Sequence, residues 1–342
     1  MSYKAQTVAH WMQNRDTMSI LPAQVDIDLT NVCNQDCFYC NSIDHRTRRP
    51  VQKKYQEYIQ LLDKLADWRA YAPKSYGTIH TITYPGGGEP TVLTGYEKVL
   101  EHTIDLGFLT SLTTNGSKLE HLIDSVSAEK IRKMAWIGID IDAGVEHKYE
   151  LIRHSKTKES LFPKVIENAT QLVQVGANVD FKALINQFND DEQSIEELFS
   201  ITKRVGARQL YLRPTILDGK AYNFDHLLDT IKIIAEKYQV KYKINLTKTL
   251  PRNYKKCHQM FQFPVFCADG EIYTCCDFKG NSEFSLGRWD NGDFRDLWLS
   301  DRHYEIYNKI DTTFCPHCRP NKNNIDIQNV LDDPTQLEGL YT

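Results

Sequence analysis

The sequence predicts an α/β fold, a partial (β/α)6 barrel followed by a small cysteine-rich domain. Three observations predict it. Strand-like and helix-like segments alternate from about residue 24 to about residue 246. The chemistry-bearing motifs fall just after strands. Beyond residue 250 the alternation stops, and six of the nine cysteines lie between 257 and 318.

The strand candidates are residues 25–30, 78–84, 109–114, 136–142, 178–185 and 209–213, each short and rich in β-branched or aromatic residues. Helical patterns occupy 55–68, 96–106, 119–134, 161–175, 194–205 and 224–238. Such alternation implies βαβ units, right-handed crossovers and a parallel sheet. Residues 240–246 read as one more strand at the edge. The expected organisation is an N-terminal extension over 1–22, a barrel over 23–248, a cysteine-rich domain over 249–320 and a loosely docked polar tail over 321–342.

Bulk properties exclude several classes. The chain has 342 residues, 41% hydrophobic and 25% charged, as in ordinary globular proteins. A net charge of −4 provides no basic field for nucleic acid. No apolar run approaches the length of a membrane span, and the N-terminus lacks the apolar core of a signal peptide. Nine cysteines in a chain without an export signal read as metal ligands rather than disulfides, and a cytoplasmic protein is expected.

In barrels of parallel strands, active residues sit at the C-terminal strand ends. Cys33, Cys37 and Cys40, spaced C-x3-C-x2-C, follow the first strand. Tyr84-Pro-Gly-Gly-Gly-Glu-Pro90 follows the second, and Thr114-Asn-Gly116 the third. A cubane iron–sulfur cluster normally takes four thiolates, so a compact set of three leaves one iron open for chemistry. The same three cysteines also suit a zinc site.

The triplet, with Tyr39 before its last cysteine, resembles the signature of the radical S-adenosylmethionine (SAM) enzymes. The resemblance implies a 4Fe–4S cluster on Cys33, Cys37 and Cys40 that chelates SAM, cleaves it to a 5′-deoxyadenosyl radical and thereby abstracts hydrogen from a substrate. It implies SAM contacts from Tyr39, Gly86, Gly87, Gly88, Glu89 and Asn115. Arg153, in Tyr149-Glu-Leu-Ile-Arg-His154, matches a family arginine that pairs with the SAM carboxylate. Where relatives carry Ile-Ser-Leu-Asp, this chain reads Ile139-Asp140-Ile141-Asp142; Asp140 is then a ribose contact, or the ribose is held differently.

Cys257, Gly270 and Cys275 fit C-x12-G-x4-C, and Cys315-Pro-His-Cys318 is a C-x2-C pair. With Leu286-Gly-Arg and Leu297-Trp298, they resemble the auxiliary-cluster domain called SPASM in its long form and twitch in its short form. No cysteine follows Cys318, which fits the short form: a second 4Fe–4S cluster on Cys257, Cys275, Cys315 and Cys318, or a zinc site on the same ligands. Of the adjacent Cys275 and Cys276, only one is expected to ligate.

The resemblance implies oxidation or epimerisation of a small polar substrate: a sugar, nucleotide sugar, cyclitol or nucleoside. A reductant such as flavodoxin or ferredoxin is the implied partner. Cys276 and Cys267 are candidate hydrogen-atom donors, or simply small buried hydrophobes. Lys182, Asn186 and Arg213, at the ends of the fifth and sixth strands, are candidate substrate contacts, or barrel-rim hydrogen-bonding groups. The run His45-Arg-Thr-Arg-Arg49 offers phosphate binding or a solvated loop. The short stretch before the first strand leaves no room for a leader-recognition domain, which favours a small substrate over a peptide. Two alternatives stand beside this reading: a peptide-modifying maturase that works with a separate recognition protein, and a non-catalytic metal-binding scaffold.

Overall fold

The computed structural model describes residues 2–15, 17–48, 51–72, 75–247, 250–315 and 317–333. Seven parallel strands run in chain order across one sheet: β1 (Gln24–Ile27), β2 (Thr81–Tyr84), β3 (Leu109–Thr114), β4 (Trp136–Asp140), β5 (Val179–Ile185), β6 (Leu210–Pro214) and β7 (Tyr242–Ile244). Strand β8 (Val265–Phe266) adds in parallel to the free edge of β1, Val265 opposite Asp26. Antiparallel β9 (Glu271–Tyr273) and β10 (Ser285–Arg288) complete a ten-stranded sheet. The cysteine-rich segment therefore continues the barrel sheet.

The helices are α1 (Tyr3–Asn14), α2 (Ile43–Arg48), α3 (Tyr55–Tyr71), α4 (Tyr96–Asp105), α5 (Glu120–Ser125), α6 (Ala128–Lys133), α7 (Glu146–Arg153), α8 (Phe162–Gln174), α9 (Glu192–Val205), α10 (Leu228–Tyr238), α11 (Asp301–Lys309) and α12 (Asn321–Asp332). Their sequences account for most boundaries. α3 buries Tyr58, Leu61, Leu62 and Leu65, the spacing of one helical face. Its first turn is closed by Glu57, whose carboxylate accepts from Lys54 N at 2.8 Å. α9 starts where Asp191 accepts from Ser194 N and stops at Gly206, which is left-handed at φ 80°.

Two expectations are corrected. The single helix expected over 119–134 is two helices, because Val126 is extended and the Ser127 hydroxyl caps α6 by accepting from Lys130 N. The polar tail expected to dock loosely includes α12, whose buried face is Asn321, Asn324, Ile327 and Val330. Those asparagines are tolerated inside because they are paired. Asn321 donates to Thr247 O and Leu250 O, and Asn324 Oδ1 accepts from Gln259 N. α12 packs on α1, where Trp11 is buried against Phe261 at 4.8 Å between ring centroids. Among the described residues no helix is long and apolar enough to cross a membrane.

Candidate active site

A cavity of about 880 Å³ opens at the C-terminal ends of β1–β7 and is roofed on one side by the C-terminal segment. Cys33, Cys37 and Cys40 line it, and so do Cys257, Cys275, Cys276, Cys315 and Cys318. All nine cysteines are free thiols.

The first cysteine loop is pinned by side chains buried around it. Gln35 donates to Tyr149 OH at 2.6 Å and accepts from Arg153 Nε at 3.0 Å. Arg46 donates to Gln35 O at 2.9 Å and places Nη1 3.3 Å from Cys40 Sγ. Arg46 is thus buried against the loop, and His45 pairs with Asp269 at 3.8 Å. This corrects the expectation of a phosphate-binding run, since its two described side chains face the protein; Arg49 lies outside the described residues.

The glycine loop lies directly on the cysteine loop. Gly88 N donates to Thr30 O and Glu89 N to Val32 O, both at 2.8 Å. A β-carbon on Gly88 would sit 2.0 Å from Val32 O, and one on Gly87 would sit 2.6 Å from Asp28 Oδ2. Only glycine permits this approach. Glu89, expected as a SAM contact, lines the cavity, and its carboxylate is bonded within the protein. Oε1 accepts from Thr91 N, Thr91 Oγ1 and Thr114 Oγ1, and Oε2 from Asn115 N at 2.7 Å. Burial lifts this carboxyl above its usual range despite these donors. Glu89 therefore fastens β2 to β3, and Asn115, on the cavity wall, donates Nδ2 to Asn34 at 2.8 Å.

Arg153 reaches the cavity wall, but much of its guanidinium is committed: Nε to Gln35, and Nη1 to Asp142 at 2.7 Å and to Tyr39 OH at 3.0 Å. Tyr39 OH also donates to Asp142. Asp142 is a residue that sequence reasoning missed. It is fully buried at φ 51°, with Oδ1 accepting from Leu184 N and its carbonyl from Asn189 Nδ2. Its signal was the second acid of Asp140-Ile141-Asp142. Asn186, expected at the barrel mouth, is buried in the turn after β5, bonded to Leu184 O and Phe188 N. That corrects its assignment as a substrate contact.

The strand register builds a polar row across the cavity floor: Asp140 opposite Lys182, Lys182 opposite Tyr211, Tyr211 opposite Lys243. Lys182 Nζ is 2.9 Å from Asp140 Oδ1. Burial lowers the Lys182 pKa to about 8, against the pull of Asp140. Burial alone would raise the Asp140 carboxyl, but Lys182, Arg153 and Arg213 hold it below the usual range. Arg213 also lines the cavity.

In the C-terminal segment, Asn324 Nδ2 lies 3.8 Å from both Cys257 Sγ and Cys318 Sγ. Cys275, Cys276 and Asp277 hold their ligand atoms within 4.8 Å of one another. Burial and the neighbouring Cys318 and Cys315 push Cys257 up to about 12. Cys275 and Cys276 act chiefly on each other: the Cys276 sulfur and burial raise the Cys275 thiol, and Cys275 lowers that of Cys276 against burial. Cys267 is absent from the cavity. It is fully buried with Sγ 3.7 Å from Asp28 Oδ2, which corrects its assignment as a hydrogen-atom donor.

Residues 27–199, just over half the chain, match the family model of the radical SAM superfamily. The chain belongs to the radical SAM superfamily. Among curated proteins it is 25% identical to a Saccharolobus islandicus protein named probable GTP 3′,8-cyclase, over 73% of this chain and 81% of that protein. It is 27% identical to the 7,8-dihydro-6-hydroxymethylpterin dimethyltransferase of Methanocaldococcus jannaschii, over 49% of this chain and 31% of that one. Among solved structures it resembles Streptococcus suis SuiB bound to SAM, with TM-score 0.65 and 16% identity, covering 87% of this chain and 70% of that one. It also resembles anSMEcpe with bound SAM, with TM-score 0.60 and 15% identity, covering 93% and 99%. These two likenesses establish the fold. A radical SAM enzyme uses a 4Fe–4S cluster and SAM, and three free thiols on one loop facing a cavity suit such a cluster.

Proposed function

We propose that this radical SAM enzyme abstracts a hydrogen atom from a small polar substrate bound between two iron–sulfur clusters, with oxidation or epimerisation as the outcome. The observation that carries this reading is that both cysteine sets line one cavity. Cys33, Cys37 and Cys40 would hold the SAM-binding cluster, and Cys257, Cys275, Cys315 and Cys318 an auxiliary 4Fe–4S cluster. With SAM bound, the first cluster supplies a 5′-deoxyadenosyl radical, for which flavodoxin or ferredoxin is the expected electron source.

The remaining chemistry belongs to the chain. The backbone of Tyr39 and of Gly86, Gly87 and Gly88, with Asn115, lines the SAM end. Arg153 holds Tyr39 and Asp142 in place. Lys182, with its lowered pKa beside Asp140, is suited to take up a substrate proton. Cys276, on the cavity wall, is the thiol placed to return a hydrogen atom if the product is an epimer. The likeness to proteins named probable GTP 3′,8-cyclases favours a nucleotide-like or similarly small substrate. The peptide-modifying alternative draws on the SuiB structure with its precursor peptide, a likeness of fold alone at 15% identity.

The test is SAM cleavage. The anaerobically purified and reconstituted protein, given dithionite and SAM, should form 5′-deoxyadenosine. The Cys33/Cys37/Cys40→Ala variant should form none and should lose about four iron atoms per chain. Acceleration by sugars or nucleotides is expected. Acceleration only by peptides would replace the small-molecule reading, and zinc in place of iron with no cleavage would overturn both.

A further inference from the structure

Trp136 is placed unlike the other tryptophans of the chain, which has five. Trp11 and Trp289 are buried in the core, and Trp68 and Trp298 pack against it. Trp136 is not among the side chains packed on that core and meets no aromatic ring among the described residues. It is half-buried and lines the cavity. Its indole N–H donates to none of the described residues. Those of Trp11, Trp289 and Trp298 donate to Met18 O, Cys267 O and Ile20 O at 2.8, 2.8 and 2.7 Å.

The strand beneath the ring gives it a seat. Gly138 follows on the same face of β4, because side chains alternate along a strand. A β-carbon on Gly138 would lie 1.8 Å from Trp136 Cζ3 and 2.8 Å from Lys182 Cδ. The six-membered ring and the lysine stem therefore share the space over bare backbone, and Lys182 Nζ lies 5.8 Å from the ring centroid. Thr113, opposite Gly138 on β3, also lines the cavity, and its hydroxyl is bonded to none of the described residues. The charged groups of the neighbouring rows are paired with each other, Arg208 with Asp180 and Lys182 with Asp140. What the cavity leaves without a partner is one flat apolar ring, with an N–H and a hydroxyl beside it. A buried aromatic ring usually packs against apolar neighbours and pairs its polar handle; this one has the seat without the partner.

We infer that Trp136 is a stacking platform for the heteroaromatic base of a nucleoside-like substrate, with its N–H and the Thr113 hydroxyl open to the polar edge of that base. The inference rests on reading this cavity as the substrate site. It narrows the substrate class from small polar molecules to those carrying a planar base. A base covers an indole with one flat face and hydrogen-bonds only along its edge, which is what this surface offers. A saturated sugar carries hydroxyls around its whole ring and needs donors and acceptors on every side. Trp136 would thus set specificity and take no part in bond breaking.

The probe is guanosine, with adenosine, cytidine and methyl glucoside in parallel, each titrated calorimetrically into the reconstituted, SAM-saturated full chain. At least one nucleoside should bind, and methyl glucoside should not. Trp136→Ala should weaken nucleoside binding by about tenfold. Trp136→Phe should recover part of the loss, because a smaller ring still stacks. Both variants should keep their iron and stay within about twofold of wild type in SAM affinity. Gly138→Ala reaches the same platform from below: its β-carbon displaces the indole, so nucleoside binding should fall there too. Unchanged nucleoside affinity in Trp136→Ala would overturn the platform, as would equal binding of methyl glucoside or no nucleoside binding to wild type. A matching loss of SAM affinity would also overturn it and place the SAM adenine on this ring; loss of iron together with nucleoside binding would make the ring structural. The readout is independent of radical chemistry: absence of 5′-deoxyadenosine from wild type would defeat the proposed function while leaving nucleoside binding measurable.

Discussion

Lys279 Nζ lies 2.7 Å from Asp28 Oδ2, and it also donates to Gly86 O at 3.3 Å. One lysine of the C-terminal segment thus joins the end of β1 to the glycine loop. Both side chains are almost fully buried, and Asp28 holds Lys279 ionised against the cost of burial. Removing one partner leaves the other charge uncompensated. Lys279→Met should therefore destabilise the protein by about 3–5 kcal/mol. Denaturant unfolding of Lys279→Met, Asp28→Asn and the double variant checks this. The double variant should be less damaged than the sum of the two, and additive losses would refute the coupling.

Gly88→Ala is expected to disable the SAM site through geometry. Its β-carbon would meet a backbone oxygen, Val32 O, one residue from Cys33. A backbone atom cannot swing aside as a flexible side-chain end can, so the cysteine loop itself must move. Iron content and SAM affinity should both fall, with affinity down by about tenfold or more. Gly107→Ala is the control. Its φ is left-handed, 76°, where that of Gly88 is not, but nothing lies within 4 Å of the added carbon, so it should cost only about 1 kcal/mol and keep its iron.

The alternating strands and helices were legible because each strand is a compact apolar run and each long helix buries one face. The cysteine and glycine loops were legible because strand ends in a parallel sheet mark where functional side chains gather. What escaped has identifiable physical causes. α12 buries Asn321 and Asn324, so no apolar stripe announces it; its pairing to Tyr254 OH, Thr247 O and Gln259 N is settled only in three dimensions. β8 is two residues long and joins a strand 239 positions away in sequence, from Val265 to Asp26. Asp142 departs from strand alternation because its backbone is left-handed, which period-two reasoning does not anticipate. Glu89 could be read as a ligand group from its motif, but its four donors become visible only once β3 lies beside it.

Lys182 should leave a signature in the pH dependence of stability. Its folded pKa of about 8 is below the ordinary lysine value of 10.5, with burial as the leading cause. Between those values the unfolded chain binds the proton more strongly, so stability should rise with pH across that window. Below about 8 the buried ammonium carries its full penalty, on the order of 3 kcal/mol. Urea midpoints of wild type and Lys182→Met, measured from pH 7 to 10.5, test this. Wild type should gain stability relative to the variant between about pH 8 and 10.5, on top of the constant offset set by the loss of the Asp140 partner. A constant difference would show that Lys182 titrates normally.

Cys275 and Cys276 are adjacent but should behave as different kinds of residue. Cys275 and Cys276, with Asp277, hold their ligand atoms within 4.8 Å of one another and act chiefly on each other, and the proposed auxiliary cluster takes Cys275 through its C-x12-G-x4-C spacing. Cys275→Ala should therefore lose about four iron atoms per chain and the electron paramagnetic resonance signal of the second cluster. Cys276→Ala should keep its iron and, in an epimerising reaction, should stop at an unquenched or oxidised product. Cys267→Ala should keep both iron and turnover, at a cost of about 1 kcal/mol for the small void left beside Asp28. Equal iron loss in the Cys275 and Cys276 variants would defeat this division of labour, and lost turnover in Cys267→Ala would return that buried thiol to the reaction.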